Sequence, residues 1–92
     1  MVKRLEELRP GTPVYCGERR VGEIRGVFAE GSSQLAEYLN VFWEPRSEEL
    51  LVSTDDVCEI EDRGVILQGT MQRYEDLLIF DAAAHPTMRR LH

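Results

Sequence analysis

The stretch Arg20-Val21-Gly22-Glu23-Ile24-Arg25-Gly26-Val27-Phe28 decides the fold, because it has the residues of a strand without the spacing of one. A half-buried strand carries its apolar residues at every second position. Here Val21, Ile24 and Val27 recur at every third, with Gly22 after the first and Gly26 before the last. A β-bulge adds one residue, resets the alternation and lets inward side chains fall three apart. Glycine inside a strand marks such a bulge, a positive φ or the close approach of another backbone. Gly22 and Gly26 are therefore expected to be the structural bulge positions of a strongly bent strand. Small barrels need strands of this kind to close on themselves.

Working outward, Pro13-Val14-Tyr15-Cys16 reads as a first strand, and Gly17-Glu18 as the reversal into the bent second one, residues 19–29. A polar loop leads to Ala36-Glu37-Tyr38-Leu39-Asn40-Val41-Phe42-Trp43, where Leu39, Val41 and Trp43 share one face and Tyr38, Asn40 and Phe42 the other. Glu44-Pro45-Arg46-Ser47 turns the chain and Leu50-Leu51-Val52 returns it. Val57-Cys58-Glu59-Ile60-Glu61 and Gly64-Val65-Ile66-Leu67-Gln68 form a hairpin, its glycine placed for a type I turn followed by a left-handed residue. Five or six short strands joined by tight turns predict a mainly β fold, a small closed or partly open antiparallel β-barrel over residues 1–69.

From Thr70 the period changes. Met71, Tyr74, Leu77 and Leu78 fall at helical spacing, with Thr70 as the N-cap, and the helix must end before Pro86. Residues 70–92 are thus expected to be a helical segment and an extended tail that pack on the barrel or on a partner. A stripe this short does not hold a helix in water alone. The strand of Tyr38 and Phe42 offers it an aromatic face. The expected interaction surface is Tyr38, Phe42, Tyr74, Leu77 and Leu78.

Composition narrows the function. Seventeen acidic against eleven basic residues give a net charge of −6, which disfavours nucleic acid, whose binding requires a basic patch. No apolar run reaches membrane-spanning length, and the start MVKRLEELRPG has no apolar core of a signal peptide. A cytoplasmic location is expected, with Cys16 and Cys58 as reduced thiols. Neither cysteine belongs to a C-x-x-C pair and both histidines, His85 and His92, lie near the end, so neither metal nor cofactor is expected. Ser53-Thr54-Asp55-Asp56 reads as a capped helical turn rather than a cation site, with Asp56 in a capping-box position. Ser32, Ser33 and Ser53 have no histidine nearby in sequence, and no glycine-rich phosphate loop is present, so an enzyme is not expected.

Taken in order, four pieces resemble the PRC-barrel superfamily, the small β-barrel of the photosynthetic reaction-centre H subunit and of RimM-type ribosome-maturation factors. They are Gly11-Thr12-Pro13-Val14-Tyr15, the Val21–Val27 stretch, Tyr38-Leu39-Asn40-Val41, and the run from Leu51 to Ile60. The resemblance spans roughly residues 9–68. It implies a non-catalytic protein-interaction or assembly module that self-associates, as a dimer, and docks a protein partner. The alternative is an RNA- or small-ligand-binding barrel that uses the Tyr38/Phe42 face as a stacking platform.

Overall fold

The computed structural model describes residues 8–75, 80–81 and 84–91, so the predicted surface residues Leu77 and Leu78, and His92, lie outside the described residues. The chain is mainly β; the described residues form β1 (Pro13–Cys16), β2 (Arg19–Glu30), β3 (Tyr38–Trp43), β4 (Glu48–Ser53), β5 (Val57–Glu61), β6 (Gly64–Leu67) and β7 (Met88–Arg90), with one short helix among them, α1 (Gln72–Glu75). The strands form a single sheet in the order β4-β3-β2-β1-β6-β5, with β7 added to β2.

The bent strand explains its own sequence. Against β3, the pairs Ile24–Val41 and Gly26–Asn40 leave Arg25 as an extra residue; against β1, Val14–Gly22 and Tyr15–Arg20 leave Val21 as another. Each three-residue interval thus has its own bulge, and Val21, Ile24 and Val27 are all buried. Neither glycine has a positive φ. Their reason is space. A Cβ on Gly22 would stand 1.8 Å from the Phe42 carbonyl oxygen of β3, and one on Gly26 would stand 2.9 Å from the Phe28 ring.

Two expectations are corrected. The sheet is not wholly antiparallel, because β1 and β6 run parallel through Val14–Val65 to Cys16–Leu67. The cause is the link between β4 and β5, a single 3₁₀ turn over Thr54–Asp56. So short a link carries the chain onward instead of reversing it, and the β5–β6 hairpin meets β1 with β6 pointing the same way. The hairpin itself turns through two residues, Asp62 and Arg63, since Glu61 pairs with Gly64. Gly64 has φ +140°, and a Cβ there would lie 2.2 Å from the Pro13 carbonyl oxygen, so only glycine fits beside β1.

Because β4 and β5 end the strand order but are joined by three residues, the sheet must curl until its ends approach. The described residues show no ladder between those two strands, so the sheet is curled and open. Segment 68–75 sits beside this gap. Gln68 N–H donates to the Asp56 carbonyl (2.8 Å), Arg73 pairs with the Asp56 carboxylate (2.7 Å) and Arg46 donates to the Glu75 carbonyl (2.7 Å). Tyr74 fills the interior with Leu8, Trp43, Leu50 and Val57, in one buried cluster.

Candidate interaction surface

The curl gives β3 two unlike faces. Leu39, Val41 and Trp43 point into the core and are fully buried, whereas Tyr38 and Phe42 on the outer face are half-buried. By register, Phe42 lies between Glu23 of β2 and Glu49 of β4, Asn40 between Gly26 and Leu51, and Tyr38 between Phe28 and Ser53. Arg25, the bulged residue, holds its guanidinium 4.9 Å from the Phe42 ring centre. Arg25 lies two residues beyond Glu23, which pairs with Phe42, so it shares the outer face with that ring.

The C-terminal segment reaches this face at Phe80. Its N–H donates to the Glu49 carbonyl (2.8 Å), and its ring centre lies 5.5 Å from that of Phe28, which folds over Gly26. Asn40 is the β3 residue of that row and is only 4% exposed. Its Nδ2 donates to the Glu49 carboxylate (2.8 Å), while its Oδ1 finds no partner among the described residues.

Tyr74 is not part of this surface. It is 1% exposed, its ring lies 5.6 Å from Trp43, and its hydroxyl donates to the Gln68 carbonyl (2.6 Å). Helical spacing groups Tyr74 with Met71 but does not say which face of the sheet it meets. Burial pushes its phenol up to about 12.

The tail beyond Pro86 is not a free extension. Strand β7 pairs Met88, Arg89 and Arg90 with Glu30, Ala29 and Phe28. Arg90 lies 5.8 Å from the Phe28 ring centre and donates to the Arg25 carbonyl (2.8 Å), while Arg89 donates to the carbonyls of Gly31 and Ser33. Sequence reasoning missed these residues. Arg25 was legible as the residue inside the second three-residue interval, but nothing local connects Arg90 to Phe28.

A second feature lies at the opposite end of β2. Cys16, Gly17 and Arg19 on one side and residues 69–72 on the other line a cleft of about 520 Å³. Burial raises the Cys16 thiol, so it is a neutral apolar wall rather than a ready nucleophile. The acidic run resolves as capping and pairing. The Ser53 hydroxyl accepts from the Asp55 N–H (3.1 Å), but the Asp56 carboxylate binds Arg73 instead of completing a capping box. A hydrogen bond between the Glu59 and Glu61 carboxyls raises the former and lowers the latter. Among the described residues no group of three or more His, Cys, Asp or Glu is placed to hold a metal ion. No described helix is long and apolar enough to cross a membrane. Neither a protein-family model, nor a curated protein, nor a solved structure matches this chain.

Proposed function

We propose that the chain is a non-catalytic protein-interaction and assembly module built on a partly open barrel of the PRC type, which self-associates through the Tyr38/Phe42 face in the cytoplasm. The observation that carries this reading is the contrast across β3. The inner face is dry, while the outer one keeps the rings of Tyr38 and Phe42 half in water, with Phe42 beside Arg25, Glu23 and Glu49. Aromatic and arginine side chains dominate the energetics of protein interfaces, and charges of both signs around them favour register over indiscriminate sticking. Phe42→Glu should weaken self-association, measured by sedimentation equilibrium, roughly tenfold or more. An unchanged association constant would remove the face from the reading.

A second reading, RNA or a small aromatic ligand on the same face, is favoured by the arginine stacked on Phe42. The flanking Glu23 and Glu49 and the net charge of −6 oppose it. A salt titration of oligonucleotide binding separates the two. Affinity falling steeply with salt supports RNA, and no binding at low salt excludes it.

A further inference from the structure

The residue that a bulge adds has no partner on the neighbouring strand, so the ladder there does not fix how its side chain is presented. Arg25 is such a residue, since β3 pairs with Ile24 on one side of it and with Gly26 on the other. Yet its guanidinium stands in a defined place, 4.9 Å from the Phe42 ring centre, on the face proposed for self-association. What holds the bulge comes from the far end of the chain. Nη2 of Arg90 donates to the Arg25 carbonyl (2.8 Å), across 65 positions of sequence.

Space for that contact is built into β2. A Cβ on Gly26 would stand 3.4 Å from Cζ of Arg90 as well as 2.9 Å from the Phe28 ring, so the missing side chain leaves room for a ring and a guanidinium together. Arg90 lies 5.8 Å from the Phe28 ring centre. Strand β7 brings it there. The Phe28–Arg90 pair is flanked by the Leu91 N–H on the Val27 carbonyl (2.6 Å) and by Arg89 on the carbonyls of Gly31 and Ser33. One chain of contacts thus runs from the docked strand through Arg90 to the Arg25 backbone, and from the Arg25 side chain to Phe42.

Strand β7 is the element that can take two positions. It has three residues, two of them exposed, and among the described strands it pairs with β2 alone. Short elements with few buried apolar contacts open at a small fraction of the free energy of global unfolding. We infer that β7 is a regulatory latch on the Tyr38/Phe42 face. Docked, it fixes the bulge through Arg90 and presents Arg25 over Phe42; released, it frees the bulge and the arginine leaves the ring. Arg90 is then a positioning residue that acts on the contact surface through Arg25. Coupling of this kind is reciprocal, so association should in turn hold β7 down. The effect on assembly rests on the Tyr38/Phe42 face being the contact, whereas the effect on Arg25 belongs to the monomer.

The test reads the two separately. In dilute monomer, the ring current of Phe42 should shift the Arg25 side-chain protons in the NMR spectrum, and Phe42→Leu gives their unshifted position. Arg90→Ala should move these signals most of the way to that position while the far-UV circular dichroism of the folded chain is retained. Arg25 signals that stay at their wild-type position in Arg90→Ala overturn the inference, whatever the protein does at higher concentration. In sedimentation equilibrium, Arg25→Ala should weaken association roughly two- to fivefold, the size of an exposed cation–aromatic contact. Arg90→Ala should weaken it by no more than that, and the double variant should match Arg25→Ala alone, because both substitutions remove one contact. Effects that multiply independently overturn the latch. If Arg25→Ala leaves association unchanged while Arg90→Ala still moves the Arg25 signals, the latch stands and the face drops out of self-association.

Discussion

On the inward side of β3, Leu39, Val41 and Trp43 are wholly buried, in one cluster drawn from most strands of the curled sheet. On the outward side of the same strand, Tyr38 and Phe42 stay half in water, Phe42 under an arginine and flanked by two carboxylates, Tyr38 between Phe28 and Ser53. One strand thus carries two kinds of order. The inner face is set by close packing, where any added volume meets backbone. The outer face is set by weak, replaceable contacts between rings and guanidinium groups. The inner face should therefore respond to substitution with loss of fold, and the outer one with loss of association.

The two glycines of β2 give the sharpest form of this contrast. Gly22→Val sets a Cβ against a backbone carbonyl of β3, at 1.8 Å, and no rotamer change relieves it. We expect a cost of about 4 kcal/mol or more, a large part of the stability of a domain this size, seen as an unfolded or strongly destabilised chain in urea. Tyr74→Ala comes next. It empties the interior beside Trp43 and strands the Gln68 carbonyl, and should cost about 3–5 kcal/mol in the same measurement. A Tyr74→Ala chain as stable as wild type would mean that segment 70–75 does not belong to the core. Gly26→Val is milder. Its nearest obstacle is the Phe28 ring, which can swing away, so about 1–3 kcal/mol is expected. If Gly26→Val destabilised more than Gly22→Val, the distinction between a backbone wall and a side-chain wall would collapse.

How much of this was legible in the sequence follows the same division. The inner face was, because burial imposes period, and a bulge perturbs a period in a recognisable way. The three-residue spacing of Val21, Ile24 and Val27 points to bulges at Gly22 and Gly26, and the register shifts leave Val21 and Arg25, each one residue earlier, as the extra residues. The capped turn at Ser53 was legible because capping is local. The parallel pairing of β1 with β6 was not, since it depends on how the sheet curls and not on either strand's residues. Nor was the role of β7. Met88-Arg89-Arg90 has no strand pattern, and its place on β2 follows from ring and carbonyl contacts made across about sixty residues of chain. Tyr74 was read as part of a surface because helical spacing says that residues share a stripe, not which side of a sheet receives it.

Titration separates the faces again, at smaller amplitude. The Tyr74 phenol is neutral when protonated, and burial raises it from 10.0 to about 12. Below pH 10 the folded and unfolded chains both keep this proton. Between pH 10 and 12 the unfolded chain releases it and the folded one does not, so stability falls as pH rises, by on the order of 1 kcal/mol per pH unit. Tyr74→Phe should lose about 1 kcal/mol at neutral pH through its missing hydrogen bond. It should also flatten this alkaline slope. Urea midpoints of the two proteins at pH 7 and pH 11 test both statements together. A slope unchanged by Tyr74→Phe would show that the buried phenol is not the group responsible.

The smallest effect belongs to the outer face. Arg25→Ala removes a guanidinium that lies 4.9 Å from the Phe42 ring and makes no ion pair among the described residues. An exposed cation–aromatic contact contributes about 0.5–1 kcal/mol, so the monomer should melt nearly as before. Arg90→Ala removes a comparable contact with Phe28, but also the hydrogen bond to the Arg25 carbonyl, which ties β7 to the bulge. It should cost somewhat more and should loosen the pairing of β7 with β2. The pair of substitutions therefore separates two uses of one residue type. Arg25→Ala should weaken association while sparing the fold. Arg90→Ala should raise the hydrogen exchange of the Gly31 amide, which donates to the Thr87 carbonyl, before it changes association. If Arg25→Ala lowered the melting temperature as much as Gly26→Val does, Arg25 would be part of the structural frame, and the outer face would have to be counted with the inner one.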